Sequence, residues 1–297
     1  RYEMMAVDWL RTVHFEDGLY FDMLTESPVA FLPTYRISTQ TVTRYDLRKG
    51  KSGRYAGYAD RILYSPSLAS TAGEYRSWPV VGSDHLPVTL DLAVKGGLLR
   101  VVTYNCGGKQ RALDNFWRSA VISKRDATFV ICLQEIELPR LRFSLVPRIV
   151  ADKFHVQEFQ RCGNRVPYLQ ARLSSFSQAI VVLSPLSGPQ VRVERVSACR
   201  SSNWLATKGW LHADVFPFGA ETPVKVYCMH APFVDAETTR RFFTALQREL
   251  LRFQNRTYNV VPFVVAGDLN SRSIPIGLPY SKNVARCPGP CTPAKVR

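Results

Sequence analysis

Two short polar clusters, each beside an apolar run typical of a β-strand, lie near opposite ends of this 297-residue chain. The first is GSDHLPV at 82–88, and the second closes the run VVAGDLN at 264–270. Such clusters of Asp, Asn and His are typical of enzymes that cut phosphoester bonds with a divalent metal, because the ion needs oxygen ligands and the attacking water needs a base. If both clusters serve one reaction, the fold must bring the two ends of the chain to one site.

Four further segments make the pattern more specific. LRVVTYN at 99–105 and VICLQE at 130–135 are apolar runs that end in Asn105 and Glu135, and FLPTYR at 31–36 and DRIL at 60–63 precede the first cluster. Together these segments resemble the motifs of the inositol polyphosphate 5-phosphatases, a family of the endonuclease/exonuclease/phosphatase superfamily. The resemblance covers most of the chain, although it is loose at 140–201 and from 272 through the end and on to residue 7.

The motifs stand in the opposite order to that of the superfamily, so the sequence is interpreted as a circularly permuted catalytic domain. Residues 1–94 would form the C-terminal half of the family fold and residues 98–297 its N-terminal half, in a single domain of residues 1–297. The runs at 88–94 and 98–104 are separated only by Lys95-Gly96-Gly97, which predicts a hairpin. The alternative is a chain that spans two tandem domains and keeps the tail of one and the head of the next.

The expected fold class is α/β, a two-sheet β-sandwich flanked by helices. Short β-branched runs at 179–183, 224–229 and 260–266 predict buried strands. Two amphipathic helices are predicted, one at 111–125 and one from a cap at Asp235 to about residue 254, with aromatic and leucine side chains inward and arginines outward.

The charge of the chain favours anionic partners. Lys and Arg number 39 against 24 Asp and Glu, a net charge of +15, which suits phosphoinositide headgroups, anionic membrane or nucleic acid without choosing among them. Seven scattered cysteines indicate a reduced, cytoplasmic protein, and the lack of a membrane-spanning apolar run allows at most peripheral membrane contact.

The resemblance implies a role for each cluster. Glu135 and Asn105 would bind Mg²⁺, with Asp84 as a third ligand. Asp268 would orient and deprotonate the attacking water, with Asn270 holding the same site. The remaining roles fall to three residues: His85, oriented by Asp60, would contact the phosphoryl group, and His230 would be a second phosphate contact. Taken singly, an Asp, Asn or Glu at a strand end is commonly a turn cap.

Substrate recognition would rest on basic residues, because each phosphate of an inositol polyphosphate needs donors. Tyr35 and Arg36 replace the family's Tyr-Lys pair, Arg54 matches a family arginine, and Lys208 matches a lysine in its G-N-K-G segment. Lys51 is one place out of register, and AGY at 56–58 replaces the family's P-A-W. Both departures concern the pocket for a phosphate adjacent to the cleaved one.

Three functions compete at this point. The first is Mg²⁺-dependent hydrolysis of the 5-phosphate of a soluble inositol polyphosphate or a phosphoinositide, for which nucleic acid is not an expected partner. The second is a superfamily nuclease of the abasic-site endonuclease kind, which would not require the PTYR segment. The third is a non-catalytic phosphoinositide-binding remnant.

Overall fold

Two β-sheets packed face to face carry most of the described chain. The computed structural model describes residues 23–45, 56–94, 97–122, 127–137, 144–161, 176–188, 190–200, 208–218, 220–232, 236–254 and 261–270. In chain order the elements are β1 (Ile37–Ser38), β2 (Thr41–Tyr45), β3 (Asp60–Tyr64), a 3₁₀ turn (Pro66–Thr71), β4 (Ala72–Ser77), β5 (Val88–Val94), β6 (Gly97–Asn105), α1 (Gln110–Phe116), β7 (Thr128–Glu137), α2 (Arg148–Ala151), β8 (Phe154–Arg161), β9 (Phe176–Pro185), β10 (Arg192–Arg200), β11 (Gly209–Phe216), β12 (Val224–His230), α3 (Ala236–Gln254) and β13 (Phe263–Asp268).

Each sheet contains strands from both the first hundred residues of the chain and the rest of it. One has the strand order β4-β5-β6-β7-β9-β8 and the other the order β10-β11-β12-β13-β3, while β1 and β2 form a small separate hairpin. Thus β3 joins the sheet of β10–β13, and β4 and β5 join the sheet of β6–β9. The α/β two-sheet sandwich expected from the sequence is confirmed, whereas the circular permutation stays a prediction.

The hairpin predicted around residues 95–97 pairs as expected. β5 and β6 are antiparallel in a continuous register from Val88 opposite Thr103 to Val94 opposite Gly97. Asp91 and Arg100 face each other in this register and are both buried. Residues 95 and 96, which join the two strands in sequence, lie outside the described ranges.

Alternation along the strands explains how the layers form. In β6, Leu99 and Val101 point into the core between the sheets, while Val102 and Tyr104 point to the opposite face, where they pack with the side chains of α1. A third apolar cluster joins α3 to the outer face of the other sheet, and it includes Phe242, Phe243, Leu246 and Leu250. The inward face predicted for this helix is therefore confirmed for these four residues.

The helices differ in extent from their predictions. The predicted helix at 111–125 begins at Gln110, is α-helical to Phe116 and continues as a π-helical turn over Trp117–Val121. α3 runs from Ala236 to Gln254, and its predicted cap, Asp235, lies outside the described residues. Within the described chain, no helix combines the length and apolarity that crossing a membrane would require.

Candidate active site

The chemistry-bearing residues lie at one end of the sandwich because of how four strands pair. β6 and β7 are parallel, so Asn105 ends beside Gln134, next to Glu135. β12 and β13 are also parallel, and His230 ends opposite Asp268. Since the carboxyl ends of parallel strands meet at the same edge of a sheet, each sheet presents two polar strand ends, and the packing of β6 against β13 brings the two edges together.

Asp268 is held by donors from both sheets. Asn105 Nδ2 donates to Asp268 Oδ2 at 2.9 Å, and the Asn270 N–H donates to Asp268 Oδ1 at 2.9 Å. Asn270 Nδ2 in turn donates to the carbonyl of Ala231 at 2.7 Å. The side chain of Asp268 is buried, so these two hydrogen bonds fix its orientation and leave the carboxylate ready to accept from a water.

His85 and Asp60 form the pair expected from the sequence. His85 Nδ1 lies 2.8 Å from Asp60 Oδ2, and the hydroxyl of Thr34 donates to the same oxygen at 2.8 Å. Asp60 belongs to β3, which places it opposite Asp268. Burial alone would lower the pKa of His85, but the charge and hydrogen bond of Asp60, with Asp268 and Asp84 nearby, raise it to about 10. His85 is therefore an imidazolium at neutral pH.

Glu135 faces a second histidine and a lysine. His230 Nε2 lies 3.3 Å from Glu135 Oε1 and 3.5 Å from Asp268 Oδ2. Lys208 Nζ contacts His230 Nε2 and lies 3.9 Å from Glu135 Oε1. Burial opposes ionisation of Glu135, yet its hydrogen bond with His230 and the charges of Lys208 and His85 lower its pKa well below the usual range.

His230 differs from His85 in its charge. Burial and the nearby Lys208 ammonium lower its pKa, and this outweighs the opposite effect of Glu135 and Asp268. The neutral ring can donate one hydrogen bond toward the two carboxylates. The site thus holds one charged and one neutral histidine, an arrangement suited to one electrostatic contact and one neutral hydrogen-bonding contact with a phosphoryl group.

Two glycines allow the backbone to pack closely and turn tightly around the site. A Cβ on Gly267 would overlap the backbone carbonyl of Met229, so only a glycine lets β13 lie this close to β12 beside Asp268. Gly107 has a φ of 59° and turns the chain after β6, so that its N–H donates to Asn105 Oδ1 at 2.9 Å. The two glycines fix the strand ends on which the polar side chains stand.

The loop that carries Asp84 is tied to β6. Ser83 Oγ donates to the Asn105 carbonyl at 2.7 Å, and a Cβ on Gly107 would lie 3.4 Å from Asp84 Oδ1. The carbonyl of Asp84 accepts from the N–H of Ile37 at 2.8 Å. The predicted ligands Glu135, Asn105 and Asp84 are therefore brought to one region, together with Asp268, Asn270, His85, Asp60 and His230.

The oxygen donors fit a hard divalent cation that keeps most of its waters. No three His, Cys, Asp or Glu side chains within the described ranges are arranged to hold a metal ion. However, Mg²⁺ commonly uses only one or two carboxylates. Glu135 is ionised at neutral pH by its lowered pKa and is 31% exposed, so it can supply one such ligand. Asp84, also partly exposed, can supply a second.

The predicted substrate residues are only partly described. The Tyr35 ring lies 4.6 Å from the His85 ring between centroids, and Arg36 follows it on the wall of a cavity that also includes Asp84. Lys208 lies against Glu135 and His230 rather than apart from the reaction centre. Lys51 and Arg54 fall outside the described residues, so their roles stay predictions.

Two hydroxyl residues of the site were not predicted. Thr34 orients Asp60, and Ser83 ties the Asp84 loop to β6. Both stand inside the segments that carry the resemblance, FLPTYR and GSDHLPV, and that position was the available signal.

A comparison with protein families supports the superfamily suggested by these motifs. Residues 3–91 match the model of Endonuclease/Exonuclease/phosphatase family 2, and this range contains Thr34, Asp60 and His85. No curated protein matches the chain. With the two-sheet fold, the match supports a hydrolase of the endonuclease/exonuclease/phosphatase type, a superfamily whose members are generally metal-dependent enzymes. The match does not identify the inositol polyphosphate 5-phosphatase family within this superfamily.

Proposed function

We propose that this chain is a Mg²⁺-dependent phosphatase that removes the 5-phosphate of a soluble inositol polyphosphate or a phosphoinositide. The observation that carries the proposal is the Asn105–Asp268 hydrogen bond, which joins the two motif-bearing sheets at one centre beside Glu135 and His85. The PTYR segment, whose Tyr35 ring lies beside His85 and whose Arg36 lines the adjoining cavity, favours an inositol phosphate over nucleic acid.

The chain's own residues divide the work of hydrolysis. Glu135 and Asp84, with the amide of Asn105, would hold the cation, which when bound neutralises charge on the phosphoryl oxygens. Asp268 accepts the proton of the attacking water, and its orientation is fixed by Asn105 and Asn270.

The two histidines would meet the phosphoryl group. The His85 imidazolium, held by Asp60, stabilises the negative charge that develops on the equatorial oxygens. His230 provides a neutral second contact, and the Lys208 ammonium beside it adds positive charge at the same place. Tyr35, Arg36, Lys51 and Arg54 would bind the part of the substrate that is not cleaved.

The decisive experiment measures phosphate release from an inositol trisphosphate with and without Mg²⁺ for wild type and Glu135→Gln. The substitution removes a charge without changing volume, so we expect turnover at low Mg²⁺ to fall about a hundredfold or more while the fold is retained. Glu74→Gln is the matched control, because Glu74 is 53% exposed and pairs with Arg76. Full activity of Glu135→Gln at low Mg²⁺ would refute the ligand assignment.

A second arm of the same experiment separates the competing functions. The wild type is incubated with a duplex that contains an abasic site under identical conditions. Cleavage of this DNA without release of inositol phosphate would identify a nuclease, and inertness toward both substrates would identify a non-catalytic module.

A further inference from the structure

A buried glutamine beside the candidate active site links the two sheets. Gln178 lies on β9, in one sheet, and is 1% exposed. Its side-chain Nε2 donates to the carbonyl of Gly209 at 3.0 Å, and Gly209 is the first residue of β11 in the other sheet. A buried amide is costly unless it is hydrogen-bonded, so this bond fixes the Gln178 side chain between the sheets.

Gln178 stands opposite the β-bulge that carries Glu135. The register of β7 with β9 shifts between Leu133 and Ile136, and the two residues of β7 in this interval oppose Gln178 alone. The second of these two residues is Glu135, whose φ of 50° is uncommon for a residue with a Cβ. Because a bulge re-aims a side chain, Glu135 reaches the site from a position that Gln178 faces across the sheet.

Gly209 connects Gln178 with the charged side chains of the site. It pairs with His230 across β11 and β12, and Lys208 comes directly before it. The Lys208 ammonium contacts His230 and lies 3.9 Å from Glu135 Oε1, and the Lys208 side chain is 14% exposed. A lysine side chain is a flexible four-carbon stem, so the position of its ammonium depends on the backbone from which the stem starts. Gln178 holds that backbone from the opposite sheet.

We propose that Gln178 is a positioning residue for hydrolysis, because it holds the backbone from which Lys208 reaches the phosphoryl group. The proposal rests on the proposed function, since it concerns the placement of an ammonium group at the phosphate that is cleaved. Because the bond of Gln178 ends on the backbone at Gly209, its effect on the reaction passes through Lys208. A misplacement of about 1 Å can cost about a hundredfold in rate, so a bond at this distance from the chemistry affects turnover.

The test is a double-mutant cycle on phosphate release from an inositol trisphosphate, with kcat and KM measured separately. Gln178→Met removes the amide and keeps the length of the side chain, so we expect kcat to fall about tenfold while KM changes less than about threefold. In a Lys208→Met background the same change should alter kcat less than about twofold, because the group that Gln178 positions is already absent. Equal losses of kcat in the two backgrounds would show a general effect on the fold and overturn the proposal.

Gln157→Met is the matched control. Gln157 lies on β8, next to β9, and its Nε2 donates to the carbonyl of Val191. It pairs with Val182, which is four residues along β9 from Gln178 and roughly 13 Å further from the site at the rise of a β-strand. The substitution removes the same kind of bond, so it should lower the urea midpoint and leave kcat unchanged. A loss of kcat equal to that of Gln178→Met would refute the positioning role.

A second variant serves if Gln178→Met does not fold. Gln178→Asn keeps an amide in the buried position but shortens its reach by one methylene group, so the bond to Gly209 is lengthened or lost. This variant should lower kcat in the wild-type background and leave kcat unchanged in the Lys208→Met background. Unchanged kcat in the wild-type background, or equal losses in both, would overturn the proposal.

A chemical readout separates failure of this proposal from failure of the proposed function. Acetic anhydride modifies lysine amines, and mass spectrometry of the digested protein gives the labelling rate of Lys208 relative to the exposed Lys109. Gln178→Met should raise this ratio about threefold or more, because a lysine that is no longer held against His230 opens to solvent more often, whereas Gln157→Met should leave it unchanged. An unchanged ratio in Gln178→Met would refute the proposal. A raised ratio, with no phosphate release by wild type, would refute only the phosphatase function.

Discussion

At the residue scale, the site depends on a histidine whose charge is maintained by one buried carboxylate. Asp60 is fully buried, and one of its carboxylate oxygens accepts hydrogen bonds from both Thr34 and His85. Burial would lower the pKa of the His85 imidazole, and the charge of Asp60 raises it. The pairing of Asp60 with His85 was expected from the resemblance alone, because residues 25 positions apart carry no local signal of contact.

Replacing Asp60 with Asn should neutralise His85. Without the carboxylate, burial dominates, and the pKa of His85 should fall from about 10 toward or below the ordinary value of about 6.5. Turnover at pH 8 should fall about a hundredfold or more. NMR titration of the His85 imidazole measures the pKa, with Asp114→Asn, which changes an exposed carboxylate, as the control. A His85 still charged at pH 9 in Asp60→Asn would contradict the assignment.

The same pair has a consequence for stability. The pKa of His85 is higher in the folded chain than the value of about 6.5 in the unfolded chain, so its protonation stabilises the fold. This contribution is complete below about pH 6.5 and is lost as pH rises through about 10. The urea midpoint of wild type should therefore decline across this range more steeply than that of Asp60→Asn.

At the element scale, the β5–β6 hairpin joins the loop of Asp84 and His85 to the strand of Asn105. Asp91 and Arg100 lie opposite each other within it and form two hydrogen bonds of 2.6 and 2.7 Å. A register shift of one residue would place the two side chains on opposite faces of the sheet, so the pair supports the observed register.

Breaking this pair on one side should destabilise the protein more than removing both partners. Arg100→Met leaves the Asp91 carboxylate buried without its partner, and we expect a loss of about 3 kcal/mol in the free energy of unfolding. The double variant Asp91→Leu, Arg100→Met should recover much of this loss, because no buried charge then remains. Urea denaturation of Arg100→Met, Asp91→Leu and the double variant measures the coupling. Strictly additive losses in the free energy of unfolding would show that the pair does not act as a unit.

The extent of the elements was harder to predict from the sequence than their existence. The β-branched run at 179–183 predicted a strand, but β9 extends over Phe176–Pro185 because pairing with β7 and β8 continues into polar residues. The helix predicted at 111–125 changes to a π-helical turn at Trp117, where packing of Trp117 and Val121 into the core decides the backbone. Tertiary contacts, which no local window contains, set both limits.

At the scale of the whole molecule, the two motif clusters meet at one site, as the motif pattern led us to expect. The bond from Asn105 to Asp268 spans 163 positions of sequence, so only the resemblance, and no local pattern, could indicate it. The hydroxyl contacts of Thr34 and Ser83 and the position of Lys208 against His230 were not anticipated, since these contacts depend on side-chain orientation within the assembled site.

Binding of Mg²⁺ should stabilise the whole fold, because the proposed ligands Glu135, Asn105 and Asp84 come together only in the folded chain. At a concentration about one hundred times the dissociation constant, the gain should be about 2.7 kcal/mol, which corresponds to a rise of several degrees in Tm. Thermal unfolding of wild type and Glu135→Gln with MgCl₂ measures the effect, and the variant should lose most of it.

Ionic strength needs its own control in that experiment. The net charge of +15 makes the fold sensitive to screening, so added salt raises stability without specific binding. KCl at matched ionic strength gives this contribution. An equal rise of Tm with KCl and MgCl₂, or in wild type and Glu135→Gln, would contradict a specific cation site.

The close contact of β12 and β13 at Gly267 also limits how the gene for this chain can vary. Every missense change of a glycine codon introduces a Cβ, and at this position the atom would overlap the carbonyl of Met229. The strands would have to separate between His230 and Asp268, whose side chains lie 3.5 Å apart. Heritable variation at this codon is therefore confined to synonymous changes if the spacing of the two side chains is to persist.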